Sequence, residues 1–525
     1  MRFDRLTAAL VVLLGVLSGA GLVLVLGGDR ATSRHVVVDG VPMDEFHPAS
    51  VEQLPTQGRS FRESSREVAR QGRPGVVVAH GFAGSADLMA PFGESLAARG
   101  YVVVLMDFSG HGANSRRLPD DAAATGASAR ALSLDLDVAV THLRGLPDVD
   151  PTRTALVGHS MGASAVTRYA VAHPEITATV ALSLPDASTV TRDRPARLLV
   201  MPGALEFPSF RDQAEKAVAG AGPDRRMLVV PGVEHISILF APRTHRETAD
   251  WLDTSLGLPS TEAGFRSPMR SVAGASLLLL ALLAGMAPLA RLVLGPSSGG
   301  RPRVDATMTG RAAAVAAAAA AVGALVAPLL PTERLPIALG GYLTGFAVVA
   351  AALMLGYARW RGPRRTTAPT TIARSITAPP PPTRRRVIVG ALVLPAYAAL
   401  TIVAPLQLGL THAVPTGARW WLLAVVWAGF ALLAYAGLRL TDDDAVAALI
   451  VSALCPIALA GAAIGGLTST FLVLILPLLA VLLLWQSIWT EILRRCGAPR
   501  WLVAPVGSLI VAWPLAVALP LVHHG

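Results

Sequence analysis

The chain has 525 residues, of which 53% are hydrophobic and 15% are charged, and its formal net charge is +10. This composition, with a mean hydropathy of +0.52, argues against an all-soluble protein. The positive charge does not indicate a nucleic-acid partner, because the arginines cluster beside hydrophobic spans, where they set membrane topology. Both cysteines, Cys455 and Cys496, lie in the apolar half, so no disulfide is expected in the polar half.

The first element is an apolar stretch from Leu6 to Gly27, preceded by Arg2 and Arg5. The apolar core of a signal peptide is usually about 7–15 residues long, and this stretch is longer. We therefore favour a transmembrane anchor over a cleaved signal segment for residues 1–28. Under either interpretation, the domain that follows is exported.

Strands and helices alternate over residues 34–258. Short, continuous apolar runs are typical of strands buried on both faces of a parallel sheet, and they alternate here with segments of helical spacing. This order predicts an α/β domain with a doubly wound, mostly parallel sheet. The predicted strands are 75–79, 101–106, 154–157, 177–184, 197–201 and 227–230, and the predicted helices are 85–99, 127–145 and 210–219.

A Gly-x-Ser-x-Gly motif, Gly158-His159-Ser160-Met161-Gly162, follows the third of these strands directly and precedes a run of small residues. The two glycines allow a strained turn that lifts a serine hydroxyl above a sheet, at a helix N-terminus. This context predicts that Ser160 is a nucleophile. A serine hydroxyl also needs a base to take its proton and a carboxylate to orient that base.

Four motifs in this order resemble the α/β-hydrolase superfamily over about residues 34–258. They are His80-Gly81-Phe82, Asp107-x-x-Gly110-His111-Gly112, Gly158-x-Ser160-x-Gly162, and Gly203-Ala204-Leu205-Glu206 followed by His235. Within the superfamily, the segment is similar to bacterial esterases, dienelactone-hydrolase-like proteins and polyesterase or cutinase-like enzymes. The apolar half matches no family by its motifs.

The resemblance implies a role for each matching residue. Chain order in the superfamily is Ser, then Asp or Glu, then His, which makes His235 the base and Glu206 the orienting acid. Asp186 remains an alternative acid, because it follows the preceding strand. The backbone N–H groups of Phe82 and Met161 are expected to form the oxyanion hole.

Other polar residues near these motifs are interpreted as structural. His80 and His111 are expected to bond loop backbone, His159 to pack beside the turn, and Asp135 and Asp137 to form a solvated helix face. Only about a dozen residues separate the strand ending near residue 184 from the next strand, where lids of this superfamily are commonly inserted. We therefore expect no cap domain and an open site, which suits bulky, extended or surface-bound acyl substrates.

The remainder of the chain, 271–521, is predicted to be an all-α transmembrane domain of about eight helices. Each apolar span is long enough to cross a bilayer of about 30 Å at about 1.5 Å per residue. No span carries a charged residue near its middle, which disfavours ion-coupled transport. The spans are 271–293, 312–330, 336–357, 387–410, 420–439, 445–465, 469–489 and 501–521.

The arginines set the orientation of these spans. With the N-terminus in the cytoplasm, the loops 294–311, 358–386, 440–444 and 490–500 are cytoplasmic. Three of them are rich in arginine and the opposite loops are not, whereas 440–444 is acidic. Loop 358–386 is also rich in proline, as expected of an extended linker. The α/β domain is thus predicted on the extracytoplasmic face of a bacterial cell membrane.

These observations predict a membrane-anchored serine hydrolase that cleaves carboxylic esters through an acyl-enzyme intermediate. An ester or lipid-like acyl substrate and the lipid bilayer are the expected partners, and no cofactor, metal or nucleic acid is expected. One alternative is a transporter- or channel-like protein with a hydrolase-fold binding or regulatory domain. Another is an acyltransferase that uses the same triad. Acyl and alcohol specificity and the oligomeric state stay open.

Overall fold

The computed structural model describes residues 5–27, 31–48, 72–120, 126–259, 266–296, 306–362 and 381–523, and every structural statement below concerns these residues. The chain divides into two compact units. The unit that we call the α/β unit comprises Ala20–Ser276, Pro405–Thr416 and Pro520–Gly525. The other, the helical unit, comprises Met1–Gly19, Leu277–Ala404 and Gly417–Leu519. The domain bounds from the sequence (1–28, 34–258 and 271–521) stay predictions, and most of loop 358–386 lies outside the described residues.

One large sheet organises the described part of the α/β unit. Its strands are β1 (Ala31–Val38), β2 (Val41–Pro48), β3 (Arg73–Ala79), β4 (Val102–Met106), β6 (Val149–His159), β7 (Ala178–Leu182), β8 (Leu198–Met201) and β9 (Arg225–Met227), and the short strand β5 (Leu118–Pro119) lies outside it. The strand order is β1-β2-β4-β3-β6-β7-β8-β9. From β4 to β9 all neighbours are parallel, whereas β2 is antiparallel to both β1 and β4. The predicted α/β fold class is therefore confirmed.

Helices cover the sheet because its central strands are apolar on both faces. Val76, Val77 and Val78 of β3 are fully buried and contribute to two different hydrophobic clusters. A 3-10 helix (Ala86–Met89) precedes the second helix along the chain, and another, Ser237–Phe240, precedes the sixth. The first helix, α1 (Arg5–Leu26), is divided between the two units. The described helices of the α/β unit are α2 (Ala90–Arg99), α3 (Gly126–Gly145), α4 (Met161–Ala172), α5 (Pro208–Val218) and α6 (Pro242–Leu256).

The hairpin of β1 and β2 was absent from the sequence prediction. Polar side chains interrupt both strands, so neither forms a continuous apolar run. The turn joins them at Asp39-Gly40, where both residues have positive φ angles of 46° and 77°. An Asp-Gly pair at such a turn is a strong hairpin signal, and it is independent of the apolar runs that predicted the other strands. The last predicted strand, 227–230, is also shifted, since β9 ends at Met227 and Val230 forms only an isolated bridge with Gly203.

The remaining helices are long and apolar. Among the described residues, nine helices have the length and composition to cross a membrane, in agreement with the N-terminal segment and eight further spans predicted from the sequence. The later eight belong to α7 (Met269–Leu294), α8 (Ala306–Val326), α9 (Gly340–Arg361), α10 (Arg384–Gly409), α11 (Arg419–Leu440), α12 (Ala445–Ile464), α13 (Phe471–Arg495) and α14 (Arg500–Ala518). The chain is therefore a candidate membrane protein.

Ion pairs join three loops of the helical unit. Arg361 at the end of α9 lies 2.9 Å from Asp442, and Arg500 binds Asp443 through two hydrogen bonds of 2.8 and 2.7 Å. Loop 440–444 therefore lies at the same end of the unit as the starts of loop 358–386 and of α14. Asp442 and Asp443 are thus paired with arginines from the ends of neighbouring helices, while Asp444 accepts the N–H of Ala447 and caps α12.

Candidate active site

Ser160 occupies a strained turn between β6 and α4. Its φ of 53° and ψ of −116° are unfavourable for a residue with a side chain, and the strand ends one residue before it while the helix begins one residue after. The Ser160 N–H donates to the carbonyl oxygen of Leu182 on β7, at 2.9 Å, which fixes the turn against the sheet. The geometry is that of a sharp strand-to-helix turn with Ser160 at a helix N-terminus, as the Gly-x-Ser-x-Gly motif predicts.

The two glycines of the motif are required by close backbone approach. A Cβ at Gly158 would overlap the carbonyl oxygen of Gly162, and a Cβ at Gly162 would lie 2.5 Å from the carbonyl oxygens of Ala79 and His80. The first contact would push α4 away from β6, and the second would push the turn away from the end of β3. The strained conformation of the turn lies at Ser160, which has the positive φ, and not at either glycine.

Ser160, His235 and Glu206 form one hydrogen-bonded chain. His235 Nε2 lies 3.1 Å from Ser160 Oγ, and His235 Nδ1 lies 2.6 Å from Glu206 Oε1. The second carboxylate oxygen of Glu206 accepts the N–H of Gly203 at 2.7 Å, so both oxygens have partners. Because a carboxylate accepts, Nδ1 carries the imidazole proton and Nε2 is left to accept from the serine hydroxyl.

Asp186, the alternative acid, does not contact His235. Its side chain is exposed, and its two oxygens accept from the N–H and the hydroxyl of Ser188 at 2.8 and 2.7 Å. The structure therefore brings Glu206 and not Asp186 to the imidazole. Glu206 reaches the imidazole because the loop after β8 lies beside the loop that carries His235, and the Leu205 N–H donates to the carbonyl oxygen of Val233.

The loop after β3 lies directly against Ser160. A Cβ at Gly81 would be 3.1 Å from Ser160 Cβ and 2.8 Å from His159 Nδ1, so only glycine fits here without displacing that turn. Phe82 follows Gly81 and is partly buried, and Met161 is buried at the start of α4. The roles of the Phe82 and Met161 N–H groups in an oxyanion hole stay predictions. The catalytic roles of Ser160, His235 and Glu206 stay predictions as well.

Two buried side chains hold this loop from below. His80 Nδ1 donates to the carbonyl oxygen of Gly81 at 2.7 Å, and its Nε2 accepts the N–H of Phe108 at 3.1 Å. Burial lowers the pKa of His80 to about 4, so the imidazole is neutral, as these bonds require. Asp107 accepts the N–H groups of Ala86 and Ala113 at 2.7 and 2.8 Å, while burial raises its pKa to about 7.

Asp135 differs from its prediction as part of a solvated helix face. Its side chain is buried, it accepts the N–H of Ser109 at 2.7 Å, and Arg116 lies 3.3 Å away. Asp137 is partly exposed and accepts from the Tyr169 hydroxyl at 2.8 Å. Asp135 therefore anchors the loop after β4, which packs on the loop after β3 through the rings of His111 and Phe82, 5.7 Å apart.

His159 contributes a contact that the sequence analysis did not assign. Its Nε2 donates to the backbone carbonyl oxygen of His235 at 2.9 Å, and the two rings are 4.8 Å apart. Burial, together with the nearby His235, lowers the pKa of His159 well below its usual value.

Across the described residues, no group of three or more His, Cys, Asp or Glu side chains could hold a metal ion.

Residues 71–204 match the model of the serine aminopeptidase S33 family of hydrolases. An uncharacterized protein of Mycobacterium tuberculosis, found in two strains, is 30% identical over 185 residues. The match covers 31% of this chain and 63% of the length of that relative, so the chain spans less than two thirds of it.

Solved structures similar to this chain include two enzymes. A dienelactone hydrolase from Anabaena variabilis has 17% identity and a TM-score of 0.33, and the match covers 43% of this chain and 99% of that chain. A ferulic acid esterase from Streptomyces cinnamoneus has 18% identity and a TM-score of 0.34, and the match covers 44% of this chain and 91% of that chain. The family match and the observed sheet confirm the predicted resemblance: the segment 71–204 is a hydrolase-fold segment of the α/β-hydrolase type.

Proposed function

We propose that the α/β unit is a serine hydrolase that cleaves carboxylic esters through an acyl-enzyme intermediate. Ser160 Oγ attacks the ester carbonyl while His235 Nε2 takes its proton, and the same imidazole then returns the proton to the leaving alcohol. In the second half of the reaction His235 takes a proton from water, which attacks the carbonyl carbon of the acyl-enzyme. The bond to Ser160 Oγ then breaks, the imidazole returns the proton to Oγ, and the acid is released. Glu206 holds the imidazole in the tautomer that these steps need.

The observation that carries the proposal is the hydrogen-bonded chain from Ser160 through His235 to Glu206, with distances of 3.1 and 2.6 Å. The strained backbone of Ser160 supports it, because such strain is concentrated at functional sites. The negative charge that develops on the attacked oxygen needs N–H donors, and we assign these to Phe82 and Met161.

Hydrolysis of p-nitrophenyl acetate by the detergent-solubilised full chain tests the proposal. We expect Ser160→Ala to lower kcat by about 10⁶-fold, to the background rate. Ser164→Ala, one helical turn later, is the matched control and is expected to keep the wild-type rate. Wild-type protein without esterase activity, or an active Ser160→Ala variant, would contradict the proposal.

The name of the matching family makes peptide hydrolysis the second candidate, since the same triad chemistry cleaves amides. An aminopeptidase would cleave an aminoacyl p-nitroanilide with a free amino group, whereas an esterase would leave that amide intact. We propose ester hydrolysis because the residues that follow the acid and the base, Phe207 and Ile236, offer no charge to bind the free amino group of a peptide. Cleavage of the anilide in preference to the acetate ester would favour the second candidate.

We further propose that the α/β unit faces outward from a bacterial cell membrane, with the N-terminus in the cytoplasm. The arginine distribution supports this orientation. The α/β unit also includes Pro405–Thr416 and Pro520–Gly525, which the count of spans puts on the same side of the membrane as residues 31–258, so the arginine distribution alone selects the outer side.

A further inference from the structure

Three exposed apolar side chains adjoin the acid and the base. Leu205 and Phe207 flank Glu206, and Ile236 follows His235. Their exposed fractions are 67% for Leu205, 51% for Phe207 and 48% for Ile236. We call these three residues the apolar rim. Isolated apolar side chains on a surface need no explanation, but a group beside a reactive serine does.

The rim residues lie on two loops that are hydrogen-bonded to each other. The Leu205 N–H donates to the carbonyl oxygen of Val233 at 3.0 Å, and the Ala204 N–H donates to that of Val230 at 2.9 Å. These bonds, together with the 2.6 Å contact between Glu206 and His235, hold the three rim residues at one place on the unit. The two loops therefore bring all three rim residues close to the same contact, that between Glu206 and His235.

The rest of the α/β domain surface has few such side chains. Among the described residues from 31 to 258, the other large apolar side chains with comparable exposure are Val37 at 61% and Leu134 at 64%. They lie on β1 and α3. Three of the five are thus within one residue of Glu206 or His235, a concentration that packing of the domain itself does not require.

The apolar surface continues from the rim into the site. Phe210 at the start of α5 is buried, and its ring lies 4.8 Å from that of His235. In addition, residues 183–197, all described, form no helix between β7 and β8. No cap inserted at that connection covers the rim, so an apolar group can reach it from solvent.

We propose that the apolar rim binds the acyl chain of the ester substrate and favours long over short acyl chains. This inference rests on the proposed function, because it names the substrate class of the same site. Water leaves both the chain and the exposed faces of Leu205, Phe207 and Ile236 when they meet, and removal of apolar surface from water is favourable. The rim thus selects long-chain over short-chain esters.

The experiment compares p-nitrophenyl octanoate with p-nitrophenyl acetate, both below the concentration at which they aggregate, on the detergent-solubilised full chain. Leu205→Ser with Phe207→Ser, and separately Ile236→Ser, are expected to lower the octanoate-to-acetate ratio of kcat/KM about 10-fold. Leu134→Ser, an equally exposed apolar residue away from the site, is the control and keeps the wild-type ratio. An unchanged ratio in the rim variants would overturn the inference.

Two further measurements separate the possible failures. Binding of p-nitrophenyl octanoate to Ser160→Ala, by calorimetry, is expected to weaken about 10-fold when the rim is also replaced, and it does not depend on turnover. If the rim only docked on a bilayer, its variants would lose activity toward an ester held in vesicles and keep the ratio for dissolved esters. That result contradicts the inference but not the proposed hydrolase function. If the wild-type protein has no esterase activity, the proposed function itself is contradicted.

Discussion

Glu206 is fixed at both of its carboxylate oxygens, and the orientation of His235 depends on it. Oε1 lies 2.6 Å from His235 Nδ1 and Oε2 accepts the Gly203 N–H at 2.7 Å. A glutamine would place an N–H₂ group toward one of these donors and favour the imidazole tautomer that cannot accept from Ser160. We expect Glu206→Gln to lower kcat for p-nitrophenyl acetate by about 10⁴-fold, measured from initial rates.

Asp186→Asn provides the matched control for this prediction. Within the described part of the chain, the Asp186 side chain hydrogen-bonds Ser188 and does not contact His235, so its replacement is expected to leave the rate within about twofold. A comparable loss in both variants would show that the carboxylate contact with His235 is not what the reaction needs.

His245 on α6 makes the folded domain sensitive to acid. Burial lowers its pKa to about 4 from a usual value of 6.5, and its Nε2 donates to the carbonyl oxygen of Leu239 at 2.8 Å. Between those two pH values the unfolded chain binds a proton here and the folded chain does not, so stability falls as the pH falls. We expect Tm to decrease from pH 7 to pH 5, measured by circular dichroism.

Replacement of His245 tests the origin of that decrease. His245→Gln removes the titrating group, so it is expected to lower Tm at pH 7 but to narrow the difference between pH 7 and pH 5. His35→Gln, on the exposed strand β1, is the control and is expected to keep the full difference. An unchanged difference in His245→Gln would assign the acid sensitivity to other groups.

At the scale of elements, a short strand from a distant part of the chain completes the α/β unit. Strand β10 (Val522–His523) pairs in parallel with β5, and Leu521 bonds the backbone on both sides. Its carbonyl oxygen accepts the Leu118 N–H at 2.9 Å, and its N–H donates to Gly110 at 2.8 Å. Gly110 precedes His111, whose ring contacts Phe82, so this segment supports the loops behind the site.

Leu521→Pro tests that support because proline lacks the N–H that bonds Gly110. Leu521 is fully buried, and we expect the loss of the bond to destabilise the unit by about 1–3 kcal/mol and to lower esterase activity. His523→Ala, whose side chain is exposed, is the control with wild-type Tm and rate. A Leu521→Pro variant with wild-type Tm would show that the segment only lies beside the loops.

The order of the motifs predicted much of the site, while elements with weaker sequence signals were missed. Strand β10 could not be predicted, because two residues far from β5 carry no local pairing signal. The burial of Asp135 could have been predicted from the sequence. The helix α3 buries Leu132, Leu136 and Ala139, and helical spacing places Asp135 on that same face. A buried face that contains an aspartate points to a specific hydrogen bond, here the one from Ser109.

At the scale of the whole molecule, the paired loops of the helical unit strengthen the topology argument. The acidic loop 440–444 had been an exception to the arginine pattern, and its ion pairs with Arg361 and Arg500 remove that exception. If the helical unit spans a membrane, three loops at one end of it lie on one side of that membrane. The orientation then depends on which end carries the arginine excess.

Cysteine labelling of intact cells checks the orientation. Cys455 and Cys496 are buried, so a membrane-impermeant maleimide is expected to report only an added thiol. We expect Asp224→Cys in the α/β unit to be labelled and Ser375→Cys in loop 358–386 to react only after the cells are opened. The reverse pattern would place the α/β unit in the cytoplasm.

The central claim is that Ser160 is an activated nucleophile, and covalent labelling by a fluorophosphonate measures this directly. Such a probe reacts with a serine hydroxyl that a neighbouring base activates. The account predicts a single adduct on full-length protein, mapped by mass spectrometry to the peptide that contains Ser160, lost in Ser160→Ala and retained in Ser164→Ala. No adduct on folded wild-type protein, or an adduct that persists in Ser160→Ala, would contradict it.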